Sequence, residues 1–205
     1  MGKSILNRRT AAKTFSLLAA LTIFEKIVTF VFEAVIAATF GSSAIADAYF
    51  SASEIIGVID TAFLSALTVV ALNRYSHYAG VEDDKKAFDV MSKLMSFYFP
   101  IMVGLSVVIF VFSTPISYIV APGYDSEVRA LLVNCIRIMS VIPLISCIIS
   151  VDLAVLRNKK KFIITGLKSL FISVFGILGV VTYILVGGNG AYILSAAFIV
   201  SMVAF

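Results

Sequence analysis

The sequence predicts an all-α, polytopic transmembrane helix bundle, and three observations support this fold class. Hydrophobic residues make up 60% of the 205 residues and charged residues only 14%, whereas a soluble domain is about 45–50% apolar and about 25% charged. The apolar residues form several continuous runs of the roughly 20 residues that a helix needs to cross a bilayer. Basic residues are concentrated in alternate loops between these runs, as in multi-pass membrane proteins.

Six apolar segments account for most of the chain. Helices are favoured over barrel strands because the runs are long and continuously apolar, whereas barrel strands are short and alternate polar with apolar residues. Pro100 and Pro143 lie inside two of the segments and should kink them. The predicted spans lie near 15–40, 48–72, 88–112, 129–156, 162–186 and 190–205.

Turn residues separate the segments on one side of the bundle. Gly41 follows the first segment and suits a helix C-cap, and the run Gly187–Gly190 permits a tight reversal. Pro115 and Pro122 interrupt the stretch 113–128, which is therefore predicted to be a loop. Neither this stretch nor the connections 41–47 and 187–189 contain Lys or Arg.

Basic residues mark the opposite side of the bundle. They precede the first segment and follow the second and the fourth, so they share one side if every segment spans. The positive-inside rule then places the N-terminus in the cytoplasm. The net charge of +4 therefore reports orientation rather than nucleic-acid binding. The residues concerned are Lys3, Arg8, Arg9, Lys13, Arg74, Lys85, Lys86, Lys93, Arg157, Lys159, Lys160 and Lys161.

Ionisable residues also lie within the apolar segments, where each costs about 2.5–3.5 kcal/mol at mid-bilayer. Such residues face the bundle interior or water and commonly mark a transport pathway. The sequence therefore predicts a transporter with a water-accessible route. In the alternative interpretation, the charges near mid-span form structural ion pairs. Some of the charges near the span ends then anchor the helices at the membrane interface. The residues are Glu25, Lys26, Glu33, Glu54, Asp60, Arg137, Asp152 and Lys168.

Helical spacing sorts the central charges. Lys26 and Glu33 are seven residues apart and share one face, and an ion pair of Lys26 with Glu33 or Asp60 is the structural alternative. Glu54 and Asp60 fall about 120° apart and cannot share a narrow face. Asp152 and Lys168 lie near the cytoplasmic ends, where snorkelling favours simple anchoring. Acidic residues outnumber basic ones among these charges, and a cavity lined by them would attract protons or cations.

The sequence contains no catalytic constellation, so an enzyme is not expected. Cys135 and Cys147 lie in an apolar stretch without metal-ligand spacing, and His77 is predicted in a loop. No Gly-rich phosphate loop or nucleophile elbow is present. We therefore expect no metal, no cofactor and no nucleic-acid partner. We expect membrane lipids to surround the protein.

A resemblance to a known family rests on the order of several short motifs. The stretch Phe24–Gly41 followed by Ala46–Phe50 resembles the first span and first outer loop of the MurJ/MviN lipid II flippase family. Ala121–Tyr124 resembles the A-P-G-F motif after that family's third span, and Ile142-Pro143 falls where the fourth span carries F-P. Similar matches at Ala154-Val155-Leu156-Arg157-Asn158 and Gly190-Ala191-Tyr192 extend the resemblance over nearly the whole chain.

The resemblance implies the multidrug/oligosaccharidyl-lipid/polysaccharide exporter fold, with two six-helix lobes around a central cavity. This chain would then be a truncated piece that supplies the N-terminal lobe of a larger protein. The C-terminal lobe would be its missing partner. It also implies translocation of a lipid-linked peptidoglycan or polysaccharide precursor across the bacterial cytoplasmic (inner) membrane. The alternative is a proton- or cation-coupled exporter of small cationic molecules. A membrane scaffold without transport is a third reading.

The resemblance, together with the charges inside the spans, suggests roles for particular residues: Glu33 aligns with an acidic residue of the family and Asp47 with the aspartate of its T-D-A-F-F motif. Lys26 replaces a family arginine and would bind the anionic head group, with Arg137 as a second substrate-binding residue. A further arginine of the family is replaced here by Phe32, and its paired arginines fall near Asp60 and Thr61. Gating or coupling to a proton or cation is expected from four acidic residues, Glu33, Asp47, Glu54 and Asp60.

Overall fold

The computed structural model describes residues 2–79, 84–158 and 161–205, and all of them lie in helices or in the short turns between helices. No strand occurs in these ranges, so the predicted all-α fold class is confirmed. The acidic pair Glu82-Asp83 and the basic pair Lys159-Lys160 lie outside them. The helices are α1 (Gly2–Phe40), α2 (Ala44–Ala79), α3 (Asp84–Val111), α4 (Ser113–Val120), α5 (Ser126–Met139), α6 (Ile142–Asn158), α7 (Phe162–Val186) and α8 (Gly190–Ala204).

Two connections predicted as loops are partly helical. The stretch 113–128 contains α4 and the start of α5, because Pro115 falls in the first turn of α4, where the missing N–H has no intrahelical partner. α2 continues to Ala79, so His77 lies in a helix and not in a loop. The prediction that α1 ends at Gly41 is confirmed, since Gly41 has a φ of 58° and its N–H donates to the Ala37 carbonyl oxygen at 2.9 Å.

The fourth predicted segment is divided into α5 and α6 just before Pro143. The helix stops because Pro143 has no N–H to donate to the residue four positions earlier, which is Met139. Ser140 closes the end of α5, as its hydroxyl donates to the Arg137 carbonyl oxygen at 2.7 Å. The helix is thus interrupted for two residues, Ser140 and Val141, where a kink was predicted. α3, in contrast, continues through Pro100.

Four segments of the described chain are long and apolar enough to cross a membrane: Ala44–Arg74, Asp89–Val111, Ser126–Arg157 and Leu167–Val186. α8 is apolar but has only 15 residues. α1 carries Glu25, Lys26 and Glu33 within its apolar part. Large apolar side chains remain exposed on α3, including Val107, Phe110 and Val111, as expected for helices that face lipid.

α2 is the central helix, and it packs on α3, α5, α6 and α8 while α1 packs mainly on α7. The largest core cluster includes Ile36, Ile56, Leu132, Ile136 and Leu194, all essentially without exposure. The turns 41–43, 121–125 and 187–189 lie at one end of the bundle, which we call the turn end. The end that holds the N-terminus and residue 161 is the basic end.

Candidate transport site

A ladder of contacts joins α1 to α7. The Ser169 hydroxyl donates to the Glu25 carboxylate at 2.5 Å, and one turn later Thr29 and Ser173 share a hydrogen bond of 3.1 Å. Both pairs are 144 residues apart in the chain, so the two helices run parallel and in register. The ladder places polar groups between two otherwise apolar helices, where each hydroxyl finds a partner away from lipid.

The next step of the ladder is a close aromatic contact. The ring of Phe32, which is buried, lies against Gly176, where an added Cβ would overlap the ring. Phe32 stands where the resemblance expects an arginine, and its side chain is turned into the α1–α7 interface. The residue therefore fixes the distance between the two helices instead of offering a charge to the cavity.

A cavity of about 220 Å³ opens beside this ladder between α1, α2, α7 and α8. Glu33 is the charged residue of its lining, and aromatic rings, including those of Tyr49 and Phe198, form part of its wall. The lining hydroxyls belong to Thr29, Ser53, Ser169, Ser173 and Tyr49. We call this space the acidic cavity. Its carboxylate and hydroxyls can bind a cation or accept hydrogen bonds from sugar hydroxyls.

Asp60 and Lys168 form an ion pair between α2 and α7, with the Lys168 Nζ 3.4 Å from Asp60 Oδ2. Both side chains are largely buried, at 17% and 25% exposure, and Asp60 Oδ1 is buried without a hydrogen-bond partner. The interpretation of Lys168 as an interfacial anchor is therefore wrong. The suggested pairing of Asp60 with Lys26 is also wrong, because Lys168 takes that place.

Lys26 lies on the outside of the ladder. Its side chain is 73% exposed and its Nζ is 4.0 Å from Glu25 Oε1, so the suggested ion pair with Glu33 does not form. A contact at this distance between exposed groups contributes little to stability. Lys26 therefore keeps the freedom to reach an anion beside α1.

The other two acidic candidates lie elsewhere on α2. Asp47 is exposed in the first turn of α2, where a carboxylate stabilises the positive end of the helix dipole. Glu54 is exposed beside Gly57 and Thr61 in an open recess of about 500 Å³. Neither reaches the acidic cavity or the Asp60–Lys168 pair.

Arg137 is not brought together with Lys26. It lies on α5, which packs on α2, α8 and α4 and not appreciably on α1, and its Nε donates to the Ser113 hydroxyl at 2.9 Å. The hydroxyls of the ladder were missed from the sequence. The available signal was the spacing of Ser169 and Ser173, four residues apart in an apolar helix. In the described part of the chain, no group of three or more His, Cys, Asp or Glu could hold a metal ion.

A family model described as "Lipid II flippase MurJ" matches residues 36–204. The chain belongs to the MurJ family. The resemblance inferred from the motif order is thereby confirmed, and a cation exporter of the multidrug type is not favoured. Asp47, Glu54, Asp60 and Arg137 lie inside the matched range, whereas Lys26 and Glu33 precede it.

The sequence of one MurJ relative shows how much of that protein this chain corresponds to. The chain is 24% identical over 186 residues to the probable lipid II flippase MurJ of Synechocystis sp., covering 87% of this chain and 33% of that protein. The chain thus spans about one third of the length of the curated relative that it matches. No solved structure matches the chain.

Proposed function

We propose that this chain is part of a flippase that carries a lipid-linked cell-wall precursor, of the lipid II type, from the inner to the outer leaflet of a bacterial cytoplasmic membrane. The match of the MurJ family model to residues 36–204 carries this proposal. The relative's printed name, probable lipid II flippase, names the same cargo. The protein would be a transporter without a chemical reaction of its own.

The acidic cavity supports this proposal because a flippase must shelter a polar head group while the lipid tail stays in the bilayer. Hydroxyls and the Glu33 carboxylate line the cavity, and both can hydrogen-bond to sugar and amide groups of such a head group. Lys26, exposed on the adjacent part of α1, would contact its pyrophosphate, since an ammonium binds phosphate as a point charge.

The exposed position of the candidate residues favours a second lobe as partner. Glu33, Asp47 and Glu54 are exposed in this chain, although carboxylates of a membrane protein are expected against protein or water. A second helical lobe facing α1 and α2 would enclose them around a shared cavity. The positive-inside rule would then place the N-terminus and the basic end in the cytoplasm and the turn end outside.

The Asp60–Lys168 pair would serve as the coupling element. A proton or a cation bound at Asp60 would remove its attraction for Lys168 and free α7 to move relative to α2. The partnerless Oδ1 atom of Asp60 supports this role, because an unsatisfied buried oxygen is disposed to accept such a ligand. Glu33 would respond to the same cation from within the acidic cavity.

A complementation assay tests the function and the site together. Cells depleted of their own lipid II flippase would receive the full-length gene, and growth without lysis would be scored. We expect the unmodified gene to restore growth and Lys26→Ala or Glu33→Gln to reduce it at equal protein level. The matched control is Glu127→Gln, which removes an exposed carboxylate of α5 and should restore growth fully.

Two results would contradict the proposal, and they differ. Failure of the well-expressed unmodified gene to restore growth would argue against lipid II transport. Full rescue by both Lys26→Ala and Glu33→Gln would leave the function intact but remove these residues from the pathway.

A further inference from the structure

A cavity larger than the acidic cavity lies at the turn end, away from the α1–α7 ladder. It has a volume of about 600 Å³ and lies between α4 and α5. Its polar lining includes Thr114, Tyr118, Asn134 and two arginines, Arg129 and Arg137, and no acidic residue is part of that lining. We call it the basic pocket. Two guanidinium charges without a carboxylate in the lining favour an anion there, although exposed Asp125 and Glu127 flank it in the chain.

Arg129 holds its charge in a fixed position. Its side chain is only 9% exposed, and it donates to the carbonyl oxygens of Ser117, Pro122 and Tyr124 at 3.2, 3.2 and 2.9 Å. The Tyr118 ring lies 3.9 Å from its guanidinium carbon. Carbonyl oxygens orient a guanidinium without cancelling its charge, and no ion pair found in the described ranges involves Arg129.

Arg137 supplies the free donors. It lies eight residues after Arg129 on the same face of α5, about 12 Å along the helix. Its Nε is anchored on Ser113, and no described residue pairs with its two terminal nitrogens. A guanidinium that is held at Nε and open at its fork is suited to two parallel hydrogen bonds to a phosphate.

The surroundings of the pocket indicate a lipid as the source of that phosphate. Exposed apolar side chains lie close to the elements that form the pocket: the Phe110 ring is 5.9 Å from the Arg137 guanidinium carbon, and Ile119 and Val120 are exposed on α4, Ile119 to 80%. A soluble anion would gain nothing from these groups, whereas acyl chains would cover them. We propose that the basic pocket binds the phosphate of an anionic membrane lipid, with Arg137 as the direct ligand and Arg129 as the fixed charge behind it.

This site is separate from the acidic cavity and does not depend on the proposed transport function. α5 and α4 form it, whereas α1, α2, α7 and α8 form the acidic cavity. A lipid bound here would hold α4 against α5 at the level of one leaflet. Loss of this lipid should leave the acidic cavity unchanged.

Native mass spectrometry of the full-length protein in detergent tests the proposal. The probes are phosphatidylglycerol, phosphatidylcholine with the same acyl chains, and inorganic pyrophosphate. We expect phosphatidylglycerol to be retained, with about ten-fold weaker binding for Arg137→Gln, as the loss of one charge-assisted contact predicts. Arg137→Lys should recover part of the binding. Phosphatidylcholine should bind more weakly, because its choline offsets the phosphate charge.

The control variant is Arg157→Gln, which removes an exposed arginine at the opposite end of the same span. Unchanged retention of phosphatidylglycerol by Arg137→Gln, or an equal loss in Arg157→Gln, would overturn the proposal. Displacement of the lipid by millimolar pyrophosphate would also overturn it, because the pocket would then be a site for soluble anions. Arg137 is exposed, so its replacement should leave the helical circular dichroism signal unchanged and alter thermal unfolding only slightly.

Discussion

The acidic cavity and the basic pocket carry opposite charge and are held together in different ways. The acidic cavity contains Glu33 and is stabilised by side-chain hydrogen bonds between two parallel helices. The basic pocket contains Arg129 and Arg137, and backbone carbonyls of the α4–α5 connection hold one of them in place. The charges that the sequence suggested for a single route are thus divided between two places.

The division shows that counting charges within spans does not reveal which of them act together. Lys26 and Arg137 have the same sign and were expected to bind the same anion, yet they lie on helices that do not pack together. Near the acidic cavity, the buried cation Lys168 is already paired with Asp60. Each site therefore has its own electrostatic character, and each can be tested separately.

The largest effect should come from breaking the support of the basic pocket. Arg129→Met keeps the length of the side chain but leaves the carbonyl oxygens of Pro122 and Tyr124 without this donor, while Ser117 keeps the N–H of Ala121. At about 1–3 kcal/mol for an unsatisfied buried group, we expect a loss of roughly 3 kcal/mol, measured by thermal unfolding in detergent. Arg137→Gln is the control and should cost less than about 1 kcal/mol, as for an exposed charge. Equal losses would show that Arg129 is no more than a surface charge.

The wall of the acidic cavity should respond to a single methyl group. Gly176→Ala would place a Cβ into the ring of Phe32, and overpacking of this kind typically costs about 1–3 kcal/mol. Gly104→Ala in α3 meets nothing within 4 Å and should be neutral or slightly stabilising. Thermal unfolding of both variants tests the contact. A Phe32→Leu change added to Gly176→Ala should recover stability, and failure to recover would place the cause elsewhere.

The Asp60–Lys168 pair allows a largely buried ion pair to be compared with an exposed one. A double-mutant cycle with Asp60→Asn and Lys168→Met should give a coupling energy of about 1 kcal/mol. The same cycle on Asp89 and Lys93, whose side chains are 59% and 74% exposed, should give less than half of that. Purely additive effects for Asp60 and Lys168 would mean that the two groups do not interact in the membrane.

The smallest expected effect is on the rates at which charged reagents modify cysteines, which report the sign of the electrostatic potential in the acidic cavity and in the basic pocket. Cysteines placed at Ser53 and at Thr114 line the acidic cavity and the basic pocket, respectively, and the native Cys135 and Cys147 are buried. A cationic thiosulfonate should modify position 53 about three-fold faster than an anionic one, and the order should reverse at position 114. The rate of modification of each cysteine by each reagent, followed by mass spectrometry, would reveal this reversal. The same preference at both positions would refute the charge separation.

Local chain chemistry was readable from the sequence, whereas the meeting of distant residues was not. The end of α1 at Gly41 and the break before Pro143 follow from residues that lie at those positions. α4 was missed because Pro115 was taken as a helix breaker, although a proline in the first turn is compatible with a helix. The Asp60–Lys168 pair joins residues 108 positions apart, and helical periodicity gives the face of a residue but not the helix that it meets.

The nearly constant offset between contacting residues of α1 and α7 limits how these helices can move past each other. Glu25, Thr29 and Phe32 each meet a residue 144 positions later, and Phe40 meets Tyr183, 143 positions later, with ring centroids 4.8 Å apart. A small slide would break every rung at once, because all of them share one register. Sliding that restores contacts must cover a full helical turn of about 5.4 Å. The shared contacts therefore favour movement of α1 and α7 as one unit over sliding of one helix along the other.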